Sequence, residues 1–375
     1  MEFVNKYASM KPNATFLLLG VLGLYACGGG GNASGELSEP ITLQADSIAV
    51  EQILAPGQIT VKGDVALILS QKTDTVFYAY GLPDFRFLYK QGVRGQGPDD
   101  FLMGSMVSCP SRSEFAYYDI YGRTVRLFEL TRKGFEKKWE YRVNMRSCEV
   151  LSVVNDSIVM LEKHDWNMKE LGVYAYNGRS GKITDSLPGL KTYIKSTRIG
   201  YTLSTMLNRY SLQGYGEHFV VSYQLMDRIE FYRVSPQGKI ELVAEVGNAE
   251  LPESVKNYLK VDTENPPGGD RWKTPSLENI RFYYGEGGYA CRDYVFILDK
   301  DGRPLEQEKA KNDNAAPEKM FRVYSWDGRL LARLRMPFYD GFYQLPFAVS
   351  ESRKTIYAIN PEKDFEYVYT FSYDF

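Results

Sequence analysis

Short apolar runs recur along the whole chain, bounded by Gly, Asn, Asp and Pro, and helical periodicity is almost absent. In "VFYAY" (76–80), "VYAY" (173–176) and "RVYSW" (322–326), every second residue can face one layer while its neighbours face another. Longer self-similar segments recur at 76–91, 125–143, 171–187, 229–246 and 320–336. Each reads as an aromatic-rich strand, a turn with Gly or Pro, and a second strand. In "NGRSGK", "SPQGK" and "WDGR" a Gly stands where a tight hairpin needs positive φ.

A further short strand precedes most of these hairpins: "VALILS" (65–70), "FAYYD" (115–119), "SIVMLEK" (157–163) and "HFVVSY" (218–223), with "TIYAIN" (355–360) near the end. Before those come "ITVKG", "MVSCP", "CEVLSVV", "YSLQG" and "PFAVS". The repeating unit is therefore a four-stranded up-and-down meander of about 45 to 60 residues, the pattern of a β-propeller. Six units begin near 57, 104, 148, 200, 278 and 341. The sixth has only three strands, and "PITLQADSIAV" (40–50) can supply the fourth and close the ring. The expected fold class is an all-β, six-bladed β-propeller of four-stranded antiparallel blades, one domain over 40–375. A β-sandwich is the alternative, but sandwiches rarely repeat a hairpin in this way.

Two insertions interrupt the repeat. Residues 247–277 fall between units four and five, and "PESVKNYLK" within them reads as a short helix opened by Pro252. Residues 299–317, charged and poor in apolar side chains, lie between the second and third strands of unit five. Insertions in a propeller emerge on one face, which is often the binding face.

The first 26 residues do not fit the repeat. Lys6 and Lys11 precede "FLLLGVLGLYAC", whose apolar stretch is too short to span a bilayer but suits a secretory signal. It ends in Leu24-Tyr25-Ala26-Cys27, similar to a bacterial lipobox, with Cys27 as the expected lipid-bearing residue. An ordinary secretory signal cleaved nearby is the other reading. Residues 27–39, "CGGGGNASGELSE", read as a flexible tether. No Asp follows Cys27, which in such lipoproteins implies an outer-membrane destination. The net charge of −2 and the absence of a basic run give no reason to expect nucleic acid. Cys109, Cys148 and Cys291 remain in the mature chain, an odd number with no metal or redox spacing.

The lipobox, the glycine tether, the six units and "GVRGQGPDDF" (92–101) after the first unit together resemble the TolB-like six-bladed β-propeller lipoproteins of Bacteroidota. In that family a segment of the type G-x-x-G-x-G-P-[acidic or small]-[acidic]-F follows the first blade. Here it is Gly92, Gly95, Gly97, Pro98, Asp99, Asp100 and Phe101. The resemblance implies the fold and an envelope location. It implies no reaction and no catalytic residues.

The same glycine-rich stretch invites comparison with a phosphate loop. A Walker loop needs Gly-Lys-Ser/Thr before a helix, and a dinucleotide loop sits in a βαβ unit. Pro98 after the last glycine and the lack of a following amphipathic helix argue for a blade junction instead, anchored by Phe101 and Met103. The two histidines, His164 and His218, are too few for a three-histidine zinc site, and neither a nucleophile elbow nor a calcium loop is present. No cofactor is expected. The leading expectation is a non-catalytic, lipid-anchored propeller that binds a protein, peptide or glycan. Its candidate contacts are Arg94, His164, Trp166, Arg198, Arg271, Trp272 and Arg281, since Arg and Trp recur at recognition hot spots. The alternative is a glycan-directed hydrolase or lyase with acid–base groups in the funnel.

Overall fold

The computed structural model describes residues 39–50, 56–163, 172–188, 210–248, 250–256, 280–285, 287–304, 319–337, 346–359 and 367–375. The chain divides into residues 1–37, which lie outside the described residues together with Cys27, and a unit spanning 38–375.

That unit is a six-bladed propeller of antiparallel sheets. Two short strands, β1 (Ile41–Thr42) and β2 (Ala45–Ala49), precede the first blade. Blade 1 comprises β3 (Pro56–Lys62), β4 (Val65–Ser70), β5 (Thr75–Gly81) and β6 (Arg86–Val93). Blade 2 follows with β7 (Gly104–Val107), β8 (Glu114–Asp119), β9 (Thr124–Leu130) and β10 (Phe135–Arg142). Blade 3 has β11 (Cys148–Val153), β12 (Ile158–Lys163), β13 (Gly172–Asn177) and β14 (Lys182–Pro188). Blade 4 has β15 (Tyr210–Tyr215), β16 (His218–Tyr223), β17 (Arg228–Val234) and β18 (Ile240–Gly247). In blade 5 the inner position is divided between β19 (Arg281–Tyr284) and β20 (Tyr289–Ala290). Both pair with the long β21 (Tyr294–Pro304), which is followed by β22 (Lys319–Ser325) and β23 (Leu330–Met336). Blade 6 has β24 (Phe347–Ser350), β25 (Thr355–Ile359) and β26 (Tyr367–Ser372).

The outer strand of blade 6 is β2, antiparallel to β26 with Ile48 opposite Val368. The ring is thus closed by the N-terminal segment, as the repeat count predicts. The sequence pattern does not reveal that this segment also serves blade 5. There β1 adds a parallel edge strand beside β23. Leu43, between the two strands, is buried in the core shared by blades 5 and 6.

Alternation along the strands builds the ring. Val65, Leu67 and Leu69 of β4 enter the core between blades 1 and 2, while Ala66 and Ile68 enter the core between blades 6 and 1. Middle strands are covered on both faces and therefore read as continuous apolar runs. Among the described residues six such cores occur, one at each blade interface. The outer strands β10 and β18 are mostly exposed, and alternate with half-buried positions only over their second halves. Gly181, Gly238 and Gly328 take the positive φ of the hairpin turns, at 69°, 83° and 83°.

Each meander starts at the axis. The inner strands neighbour one another in a closed circuit, β3 to β7, β11, β15, β20, β24 and back to β3. Because all blades are antiparallel, the junctions between blades and the loops from second to third strands share one face. The turns from first to second and from third to fourth strands share the other. We call these the junction face and the hairpin face.

Candidate functional site

The segment after blade 1 shows why its glycines and acids stand where they do. Gly92 has φ 87°, and a Cβ there would lie 3.0 Å from the Phe101 ring. The Asp100 carboxylate folds back over Gly95 and Gly97 and accepts the Gly97 N–H at 2.8 Å. Phe101 is buried edge-on against Phe77 and Tyr117, with ring centroids 5.0 and 5.1 Å apart. The Arg126 side chain of blade 2 then holds the segment, donating to the carbonyl oxygens of Asp100 at 2.6 Å and Pro98 at 3.3 Å. Met103, expected as a second anchor, is exposed: Phe101 supplies the apolar anchor, Arg126 the polar one, and β7 begins at the next residue.

Arg94 is committed within the protein. Its guanidinium donates to the carbonyl oxygens of Ser70 (2.7 Å), Thr73 (3.1 Å) and Leu102 (3.4 Å), tying the junction to the β4–β5 turn. Gln71 and Lys72 of that turn line the central cavity, so Arg94 fixes part of the cavity rim. Asp99 points outward to Lys137 of β10 at 2.8 Å. Arg281 opens β19 and donates to the Gly302 carbonyl at 3.0 Å. His164, Trp166, Arg198, Arg271 and Trp272 lie outside the described residues. The strand ends that flank them, β12/β13, β14/β15 and β18/β19, all belong to the junction face, as do Arg94 and Arg281. In the first insertion, residues 253–256 form a helical turn whose Val255 and Lys256 N–H groups donate to the Pro252 carbonyl.

The inner strands enclose an axial cavity of ≈ 1400 Å³. No inspection of single runs points to its lining, because the residues come from the first strand of every blade. Toward the junction face lie Pro56, Gly57, Gln71, Lys72 and Pro346. Midway, Gln58 accepts the Met106 N–H at 2.6 Å, fastening β3 to β7. The Gln213 side chain is buried beside Gly288, where a Cβ would collide with its Nε2. That Nε2 donates to Ser211 Oγ at 3.2 Å.

On the hairpin face the blade 2 loop 108–112 reaches across the axis. Lys62 Nζ donates to the carbonyl oxygens of Cys109 (2.8 Å) and Ser111 (3.1 Å) and stands 5.7 Å from the Tyr215 ring centroid. The Tyr215 hydroxyl donates to the Pro110 carbonyl at 3.2 Å, and Ser152 Oγ to the Gly216 carbonyl at 3.0 Å. Blades 1, 2, 3 and 4 are thereby fastened together across the cavity floor.

Several groups of this wall have shifted acidities. Burial raises the Tyr215 and Tyr289 hydroxyls and the Cys291 thiol, so all three stay protonated. Asp293 is lowered by its hydrogen bond with Arg292, which is bidentate at 3.1 and 2.9 Å. Glu351 accepts the backbone N–H groups of Arg292 (3.2 Å) and Asp293 (3.0 Å). The two carboxylates of the wall are therefore both engaged in holding the loop 291–293. His218 lies away from the cavity lining, stacked on Trp326 at 5.1 Å. Among the described residues no group of three or more His, Cys, Asp or Glu side chains is arranged to hold a metal ion.

No protein-family model matches the sequence, and no curated protein matches it. The fold does match solved structures. An exported protein of Bacteroides fragilis superposes with a TM-score of 0.52 at 12% identity, covering 88% of this chain and 94% of its own. A member of the DUF4221 family from Bacteroides vulgatus gives 0.53 at 11% identity, covering 90% and 98%. The β-propeller domain of Myceliophteria thermophila Cps50 gives 0.42 at 11% identity, covering 88% and 100%. At such identities the likeness concerns the fold.

Proposed function

We propose that this chain is a non-catalytic binding propeller of the cell envelope, lipid-anchored through Cys27 and of the TolB-like lipoprotein type. It takes a protein, peptide or glycan ligand from the junction face. The axial cavity carries this reading. It is large enough for a small ligand or a chain end. Its described wall offers amides, tyrosines and cations, the groups that bind and orient. A hydrolase or lyase needs carboxylates of split acidity or a tuned proton-transfer group. Asp293 and Glu351 are instead both tied into the wall, which favours binding over acid–base chemistry. The fold likeness to an exported Bacteroides protein agrees with an envelope location.

The reading is tested with the soluble form, residues 28–375, on a glycan array and in pull-downs from envelope extracts. Thr60 of β3 lines the cavity, and an indole in its place would narrow it. Retention of a ligand that Thr60→Trp abolishes supports the reading. Ligand turnover, or no ligand by either route, overturns it. For the anchor, palmitate labelling is expected to vanish in Cys27→Ala; unchanged labelling refutes it.

A further inference from the structure

We propose that the axial cavity binds a carboxylated sugar, with the carboxylate at the Lys62 ammonium and a hydroxyl at the Gln213 amide. This rests on the binding reading above and names its ligand chemistry.

Three independent observations converge. The first is Lys62. The residue is only 8% exposed, yet its ammonium meets two carbonyl oxygens, the Cys109 sulfur and the Tyr215 ring. Among the described residues no carboxylate pairs with it. All three of its N–H donors have acceptors, but none is an anion, so the charge lacks a counter-charge, and a carboxylate would replace the weak 3.5 Å contact to the Cys109 sulfur. The second is the charge of the wall. Lys62, Lys72, Arg112, Arg292 and Lys354 line the cavity against two carboxylates, Asp293 and Glu351, although the whole chain carries −2. Cations are thus gathered in the cavity against the trend of the chain. The third is Gln213, 8% exposed, whose Oε1 is buried and has no hydrogen-bond partner among the described residues. An orphaned acceptor in a cavity wall calls for a donor on the ligand.

Geometry joins the two polar groups. Gln213 and Tyr215 stand two residues apart on β15 and face the same side, separated by about 7 Å of strand. Lys62 lies over that Tyr215 ring. One sugar ring with an exocyclic carboxylate spans the interval. The anion is matched by a single buried ammonium, a point charge suited to a monoanion. The Arg292 fork is occupied by Asp293, so the buried cation beside the Tyr215 ring is Lys62.

Calorimetry on the full chain in detergent tests this with four probes: D-glucuronate, methyl β-D-glucuronide, D-glucose and acetate. Glucuronate is expected to bind at least tenfold more tightly than glucose or acetate. Equal binding of the methyl glycoside assigns the site to a glycan chain end, and its loss to the free sugar acid. Lys62→Met is expected to lower glucuronate affinity at least tenfold. Gln213→Glu, nearly isosteric, is expected to do the same by setting a second carboxylate against the first, so a misfolded Lys62 variant does not leave the question undecided. Circular dichroism monitors folding of both. The inference falls if glucuronate gives no heat, if glucose binds as tightly, or if a folded variant of either kind keeps wild-type affinity. Capture of a neutral glycan or a peptide by a cavity that ignores glucuronate would end this inference and leave the binding reading standing.

Discussion

Two adjacent acids behave oppositely at the residue scale. Asp100 turns inward over Gly95 and Gly97, and Asp99 turns out to Lys137. Nothing in the sequence separates them; the direction of the chain entering β7 does. The Asp99–Lys137 pair is solvent-exposed, so Asp99→Ala is expected to leave the denaturant midpoint unchanged. Phe101→Ala, by contrast, empties an aromatic pocket and is expected to cost about 3–5 kcal/mol by chemical unfolding. His218 gives a pH test. Its pKa is lowered, first by burial, below the ordinary value of 6.5. The neutral form is therefore favoured in the folded state. Its contribution is full above the unfolded pKa and is lost as pH falls through the folded one. His218→Phe, keeping the stack on Trp326, is expected to flatten the fall in stability below about pH 6.5, relative to wild type. Parallel pH profiles for the two proteins would count against this assignment.

At the scale of elements, blades are joined by polar as well as apolar contacts. The Asp299 side chain of β21 is fully buried and accepts from Arg322 of β22 at 2.7 and 3.2 Å. Arg322 also donates to the Tyr284 hydroxyl, which in turn donates to Asp227 before blade 4's β17. Arg322→Met removes the nearer cation from Asp299 and leaves Arg333 at 3.7 Å, so it is expected to cost about 1–3 kcal/mol; a loss under about 0.5 kcal/mol in denaturant titration would show that Arg333 and water together hold the carboxylate. Closure by β2 has its own test. Deleting residues 40–50 bares the β26 edge, and concentration-dependent association by light scattering is the expected result. A monodisperse, fully stable deletion variant would mean that β2 contributes little to the ring.

For the whole molecule, the cysteines report on cooperativity. Cys109, Cys148 and Cys291 are free and buried, each in a different blade. Burial raises the thiols of Cys148 and Cys291, slowing their reaction further. In a closed ring every blade packs on two neighbours, so all three are expected to become reactive toward a thiol reagent in one transition. Mass-resolved labelling that exposes one of them well before the others would show blades opening separately.

The repeat, the meander, the number of blades and the need for an N-terminal strand were all legible in the residues. They follow from alternation and turn chemistry, which are local and survive in a linear string. "GVRGQGPDDF" could likewise be marked as a blade junction, because Pro98 and the missing helix are local facts. Other features exist only in the folded ring. That β1 crosses to blade 5 depends on where blade 6 leaves the N-terminal segment. That Arg94 serves the β4–β5 turn depends on carbonyls 24, 21 and 8 residues away in sequence. The cavity was illegible for the same reason. Its wall takes a few residues from each inner strand, and Lys62, Gln213 and Tyr215 meet only when the ring closes. Periodicity tells which face of a strand is covered; it does not tell which distant side chain covers it.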